Sequence, residues 1–478
     1  MKFEVGSSEI YLGKCEEVLK DLPSNSIDTI ITDPPYGLGF MGKEWDTFSP
    51  ESLSNGVEKR KSHIGDREIK RPANEAGRYD RSSQANRQFQ EFMTSVFAEA
   101  LRVAKPGAIL MAFGGTRTYH RLTCAIEDAG WQIRDCIMWL FGSGFPKSHN
   151  IALSIDKKQG LSDRGHRIAT ASRHHPDGTF EPNGEAIPAY KARTAIARAW
   201  EGYGTGLKPA WEPIAVAMKP LDGTNADNAL EHGVAGFWVD GARIPGTTSI
   251  ERELDEPSNR NGQSSSFAMK PDPRGGDALG RWPANLILDE ESARLLDEQT
   301  GELASGQPMG IKSGGQGNAF GEYAGGIPVT GFGDSGGASR FFYCAKTSSE
   351  ERNSGLEDMD EKNVHSPSAD NRVWDIPGSH STPRKNNHPT VKPLSLMRYL
   401  CRLTRPPKGG VVLDLFSGSG TTLIAADLED RKSIGIEMTP EYVEIIKKRV
   451  AYWHKQKKQA PDIFDAEEIA ELKQGNLF

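Results

Sequence analysis

The sequence predicts an α/β fold, with buried strands of a mostly parallel sheet alternating with helices and broken by a long irregular insert. Three observations carry this. Short apolar, β-branched runs at Ile27–Ile31, Ala108–Phe113 and Val411–Phe416 read as strands buried on both faces. Each stops at a turn of proline, glycine or serine, and amphipathic helical stretches stand between such runs. From about residue 150 to residue 337 the alternation dissolves, which sets an inserted segment between two ordered halves.

At 478 residues the chain has room for two or three domains with sizeable cores. Its 51 glycines and 29 prolines imply much loop. A net charge of −7 does not advertise a nucleic-acid binder, but a local basic face can coexist with an acidic total. Cys15, Cys124, Cys136, Cys344 and Cys401 lie far apart, which argues against a zinc ribbon or disulfide framework and for a reducing compartment. The start, Met1-Lys2-Phe3-Glu4-Val5, lacks a signal-peptide core, and no apolar run is long enough to span a bilayer. A cytoplasmic protein is the expectation.

In chain order, Glu9–Leu12 reads as a strand and Cys15–Leu22 as a short helix with Val18, Leu19 and Leu22 inward. The strand into Asp33 follows, then a long polar stretch from Gly37 to Ser83. Gln84–Val103 reads as a helix with Phe89, Met93, Val96, Phe97 and Ala100 on one face, stopped at Lys105-Pro106-Gly107. After the strand Ala108–Phe113 and a helix over about 118–128, Trp131–Leu140 alternates like a strand that hairpins at a sheet edge. The segment after Asn150 opens basic, with Lys157, Lys158, Arg164, Arg167, Arg173, Lys191, Arg193 and Arg198 interleaved with aromatic residues and histidines. His166, His174 and His175 there lack the company of a metal site. Short strands are expected at Trp211–Met218 and Asn285–Leu288, and glycine-rich loop over Ala304–Ser339. Order returns at Phe341, a helix spans Val391–Thr404, and Pro406-Pro407 stops it.

Two stretches carry chemistry. Asp33-Pro34-Pro35-Tyr36 follows the first buried strand, and its prolines must end that strand because neither can donate to a ladder. A carboxylate, a rigid turn and an aromatic ring are thus presented at a strand's carboxyl end, where open α/β sheets bind ligands. Far downstream, Val411–Phe416 runs into Ser417-Gly418-Ser419-Gly420-Thr421-Thr422, whose small residues let the backbone approach a ligand ahead of a helix N-terminus. The next strand, Ser433–Glu437, ends in a carboxylate. Strand, glycine turn, helix, strand and acidic end together hold the adenosine half of a cofactor in Rossmann-like sheets. A nicotinamide oxidoreductase is the rival, but Leu423 stands where its third glycine belongs, and no lysine follows Gly420 as a phosphate loop requires.

The pair of motifs, with His388-Pro389-Thr390-Val391-Lys392-Pro393 just before the second, resembles the signature of S-adenosylmethionine-dependent amino-methyltransferases of DNA. The proline-tyrosine motif comes first here, an order similar to the permuted β class, with a target-recognition insert between the halves. The resemblance implies a Rossmann-like methyltransferase sheet, discontinuous in sequence, in which the strand ending at Phe416 lies beside the strand ending at Asp33. Residues 1–149 would be the catalytic half, 150–337 the target-recognition insert, 338–458 the cofactor-binding half and 459–478 a polar tail. Asp33, Pro34, Pro35 and Tyr36 would be catalytic. Thr390, Lys392, Asp414, Phe416, Ser417, Gly418, Gly420, Thr421 and Glu437 would bind S-adenosylmethionine. One departure is Gly13-Lys14, where the family often has Gly-Asp against the cofactor's adenine.

The resemblance implies transfer of a methyl group to the exocyclic N6 of adenine in double-stranded DNA. Cytosine N4 is the alternative, and a catalytically silent DNA-binding protein a more distant one. Asp33 and the Pro34 carbonyl would accept the amino protons and turn the lone pair toward the methyl group, while Tyr36 stacks on a flipped base. No metal and no membrane are implied; a homodimer and a partner restriction endonuclease are left open.

Overall fold

The computed structural model describes residues 1–37, 83–144, 148–161, 172–174, 180–182, 190–244, 280–304, 311–312, 327–328, 335–346, 348–364 and 382–459. Most of the polar stretch Gly37–Ser83, most of the glycine-rich run Ala304–Ser339 and the tail beyond residue 459 lie outside them. The chain divides into two compact units, Met1–Gly142 with Trp211–Phe478, and Ser143–Ala210.

The larger unit is built on one sheet. Its strands are β1 Lys2–Val5, β2 Ser8–Leu12, β3 Ile27–Thr32, β4 Ala104–Phe113, β5 Gln132–Leu140, β6 Trp211–Met218, β7 Leu286–Asp289, β8 Tyr343–Ala345, β9 Val411–Asp414 and β10 Lys432–Glu437. They lie in the order β1-β2-β10-β9-β3-β4-β6-β5-β7-β8. Only β1 and β6 run against their neighbours. The pairing of β9 with β3 joins the two ends of the chain as the resemblance implies, Val412 opposite Thr29 and Leu413 opposite Ile30.

Alternation along these strands sorts the core into two layers. Ile31, Ile109, Met111, Phe113 and Val412 pack with helices from the C-terminal part, α6 Leu394–Leu403, α7 Thr421–Leu428 and α8 Pro440–Gln459. Ile30, Leu110, Ala112 and Leu413 pack with helices from the N-terminal part, α1 Cys15–Asp21, α2 Ser83–Val103 and α3 Tyr119–Asp128. The five apolar residues expected on the inner face of α2 are all buried there. Helix α6 starts at Leu394, three residues later than expected, because Pro393 fixes an extended backbone before it.

The polar residues of β3 fasten the two halves of the sheet. Asp28 accepts from Val411 N at 2.7 Å and from Lys105 Nζ at 2.6 Å. Thr29 Oγ1 accepts from the buried Arg431 guanidinium at 2.8 Å, and Thr32 Oγ1 donates to Asp414 Oδ1 at 2.9 Å. All but the Lys105 pair close a gap of several hundred residues in sequence, and buried polar bonds of this kind specify register as well as stability.

Two sequence expectations are corrected. Trp131–Leu140 does form a strand, but β5 lies inside the sheet between β6 and β7, not at an edge. The alternation does not dissolve through the whole insert either. Trp211–Met218 is a strand of the main sheet, and Leu286–Asp289, α5 Glu290–Thr300 and Tyr343–Ala345 make a strand-helix-strand unit of parallel strands. The amphipathic signal of α5 was hidden by its charge: it reads Glu-Glu-Ser-Ala-Arg-Leu-Leu-Asp-Glu-Gln-Thr.

The smaller unit holds the helix Ile151–Lys158, whose Asn150 cap accepts from Leu153 N at 3.0 Å. The buried Asp156 carboxylate organises it, accepting from the Tyr190 hydroxyl, Arg193 N at 2.7 Å and Thr194 Oγ1 at 2.8 Å. Among the described residues no helix is long and apolar enough to cross a membrane.

Candidate active site

Asp33 stands at the carboxyl end of β3, beside the carboxyl ends of β4 and β9. Pro34 and Pro35 carry the chain out of the sheet, and Tyr36 folds back so that its hydroxyl donates to Asp33 Oδ1 at 3.0 Å. Gly115, just past β4, leaves room for that ring: a Cβ there would come within 2.9 Å of Tyr36 Cδ2. Lys392 Nζ closes the corner, 2.9 Å from Asp33 Oδ2 and 3.3 Å from the Tyr36 oxygen, over the face of Phe113.

A fourth group completes it. Glu212 heads the reversed strand β6, and a reversed strand brings its amino end to the rim where its neighbours end. The Glu212 carboxylate accepts from the Tyr36 hydroxyl and lies 3.3 Å from Lys392 Nζ. Burial pushes the Glu212 carboxyl up, Lys392 pulls it down and Asp33 adds to the rise. Burial opposes the charge of Lys392, but the two carboxylates outweigh it and hold the ammonium above its ordinary range. Burial and the same two carboxylates push the Tyr36 phenol well above its usual value.

A second carboxylate stands at the end of β10. Glu437 accepts from Gly418 N at 2.9 Å and from Thr439 N at 2.8 Å. Burial pushes its carboxyl up to about 7, against the pull of the Thr439 and Gly418 hydrogen bonds. The glycine turn makes this possible: Gly418 at φ +52° and Gly420 at φ +80° hold left-handed backbone that side chains disfavour. Asp414 braces the turn, accepting from Phe416 N at 3.2 Å as well as from Thr32, and burial raises its carboxyl to about 6. Ser417 Oγ donates to the Asp414 carbonyl, while Thr421 opens α7 with its hydroxyl against the buried Arg449. His388 lies over Gly418, with Nδ1 3.2 Å from the Thr390 carbonyl, so that nitrogen carries the proton. Burial lowers its basicity to about 4 and keeps the ring neutral near pH 7.

Both carboxylates line one cavity of about 360 Å³, together with Gly13–Glu16, Pro34, Tyr36, His388, Thr390, Lys392 and the 414–419 turn.

A family model described as DNA methylase matches residues 27–245 and 337–448, so it spans both strand ends that line this cavity. The chain belongs to the N6/N4 DNA methylase family. The type II methyltransferase M.HindIII of Haemophilus influenzae is 28% identical over 227 residues, 46% of this chain and 61% of that protein. The DNA adenine methyltransferase YhdJ of Escherichia coli is 36% identical over 109 residues, 22% of this chain and 34% of that protein. The matches therefore cover less than two thirds of these relatives' lengths. Among solved structures, the PvuII cytosine-N4-specific DNA methyltransferase aligns over 98% of this chain and 96% of its own, with 12% identity and a TM-score of 0.37.

The cofactor of a DNA methylase of this family is S-adenosylmethionine, and the cradle suits it. Glu437 offers a buried carboxylate for ribose hydroxyls, and the turn lacks the lysine that a phosphate would need. Of the residues read from the sequence, Thr390, Asp414, Phe416, Ser417, Gly418, Thr421 and Glu437 line the cavity, Asp414 and Thr421 bracing the turn as well, while Gly420 shapes the turn without lining it. Lys392, read as a cofactor residue, is ion-paired to Asp33. Sequence reasoning missed Glu212 altogether; its one signal is a carboxylate between Trp211 and Pro213 at the head of an otherwise apolar strand. At the departure Gly13-Lys14, Glu16 in the first turn of α1 lines the cavity, one acidic side chain displaced by two positions along the chain.

Proposed function

We propose that the protein transfers the methyl group of S-adenosylmethionine to the exocyclic N6 of adenine in double-stranded DNA. The observation that carries this is one cavity with Asp33-Pro34-Pro35-Tyr36 on one wall and Glu437 with the glycine turn on the other. The cofactor supplies an electrophilic methyl on a sulfonium; everything else falls to the chain's own groups. Asp33 and the Pro34 carbonyl accept the two amino protons and turn the nitrogen lone pair out of the ring's conjugation. As the nitrogen–methyl bond forms and the carbon–sulfur bond breaks, Asp33 accepts the proton that the nitrogen must lose. The paired prolines keep the acceptors in place, and positioning of this kind supplies much of the rate of a direct displacement. Tyr36 stacks on the flipped base, which offsets an unstacking cost of a few kcal/mol.

Adenine is preferred because Asp33 is charged. Enzymes that resemble this one but act on cytosine more often begin the tetrad with serine, and a carboxylate holds an amino group more strongly than a hydroxyl does. The adenine-specific name of the Escherichia coli relative agrees with that preference. Sequence specificity is assigned to the insert of residues 150–337, whose first part falls in the compact unit Ser143–Ala210 and carries Lys157, Lys158, Lys191, Arg193 and Arg198. Digesting methylated DNA to nucleosides and weighing the product tests the base: N6-methyladenine is expected, and N4-methylcytosine alone would overturn adenine while leaving the family standing.

A further inference from the structure

The amino group of a base meets an Asp33 that is already engaged, by the Lys392 ammonium and by a Tyr36 hydroxyl whose one proton is shared with Glu212. Oδ1 accepts from the Tyr36 hydroxyl at 3.0 Å and Oδ2 from Lys392 Nζ at 2.9 Å. A neutral amino group competes poorly with an ammonium for the same oxygen, because charge-assisted bonds are roughly twice as strong. Glu212 is the group that both occupants already share: its carboxylate accepts from the Tyr36 hydroxyl and lies 3.3 Å from Lys392 Nζ.

We propose that Glu212 is a positioning residue which draws Lys392 and the Tyr36 hydroxyl off Asp33, so that Asp33 is released to the amino group of the target base. The inference rests on the methyltransferase reading above. Lys392 Nζ, on a flexible stem, already lies 2.9 Å from Asp33 and 3.3 Å from Glu212, so a small shift passes it from one carboxylate to the other, whereas Glu212 is held on a strand inside the sheet. Without Glu212, Asp33 would be the one carboxylate the structure places on Lys392, and a buried ammonium does not leave its last anionic partner. Lys392 in turn keeps the two carboxylates from facing each other unscreened before DNA arrives.

The test is a set of three variants assayed for methyl transfer to DNA and for heat of S-adenosylmethionine binding. Glu212→Gln keeps the shape and removes the charge; kcat is expected to fall roughly a hundredfold, within the range for a misplaced acid–base group, with cofactor affinity and KM for the cofactor unchanged. Adding Lys392→Met to Glu212→Gln is expected to restore about tenfold of that loss, a rescue that a merely structural Glu212 would not show. Lys392→Met alone should keep more activity than Glu212→Gln, which holds the proposal to account even if the glutamine variant folds poorly. A Glu212→Gln enzyme at wild-type rate, a double variant no faster than Glu212→Gln, or a Lys392→Met enzyme as inactive as one lacking Asp33 would each overturn it. Wild-type protein that places no methyl on DNA would instead overturn the reading on which it rests.

Discussion

Two of the carboxylates that line the cavity, Asp33 and Glu437, stand at equivalent places, each at the carboxyl end of a central parallel strand, yet they are held by different means. Glu437 is held by backbone: Gly418 N and Thr439 N, the first from a turn nineteen residues earlier and the second two residues on. Asp33 is held by side chains, Tyr36 from its own turn and Lys392 from 359 positions away, with Glu212 behind them. On the proposed reading Glu437 would hold the cofactor, whereas Asp33, whose lysine and phenol partners can shift to Glu212, would take part in the reaction.

The comparison is broken most directly at Asp33. Asp33→Ala is expected to lower kcat by roughly a thousandfold or more, as for loss of an acid–base group, while cofactor affinity stays within about tenfold, because the interaction lost is made only as the amine reacts. Calorimetry with S-adenosylmethionine beside a single-turnover assay separates the two, and near wild-type turnover would sink the mechanism. Glu437→Ala should do the reverse, weakening cofactor binding by about 1.5–3 kcal/mol, the worth of a charge-assisted hydrogen bond, with DNA affinity little changed. Unchanged cofactor affinity would make Glu437 a strand-end charge and nothing more.

A pH series sharpens the contrast. With its carboxyl near 7 in the free protein, Glu437 is protonated below that pH and is then the weaker acceptor for a hydroxyl. Cofactor affinity should therefore fall as pH is lowered through about 7, with a proton released on binding there, and Glu437→Gln should lose that dependence. A slope that survives in the glutamine variant would assign the titration elsewhere. The smallest effect is expected where the two regions are tied together. Thr32→Val removes the donor to Asp414 and should cost about 1–3 kcal/mol of stability, read from denaturant midpoints. Asp414 keeps Phe416 N, so the cradle should survive and cofactor affinity should hardly move.

Much of this was legible beforehand, for identifiable reasons. The strands at Ile27–Thr32 and Val411–Asp414 and the inner face of α2 follow from runs and periodicities that repeat within ten residues. The turn at Gly418 and Gly420 was readable because left-handed backbone demands glycine locally. Trp131–Leu140 misled only in part: the stretch up to Ile137, with the exposed Arg134 and Asp135, is paired on one side alone, with β6, whereas Met138–Leu140 are also paired with β7 and put the strand inside the sheet order.

The sequence by itself determined which strands are buried, that Asp33 stands at a strand end behind two prolines, and that a glycine turn precedes a carboxylate at Glu437. Only the tertiary structure decided that β6 would run backward between β4 and β5 and set Glu212 beside Asp33, and that Lys392 would pair with Asp33. It likewise decided that Asp28, Thr29 and Thr32 would clasp the far end of the chain. The physical reason is range. Propensity, turn chemistry and periodicity act between neighbours a few residues apart, whereas a buried polar side chain takes its partner from whatever strand the packing of the core brings alongside.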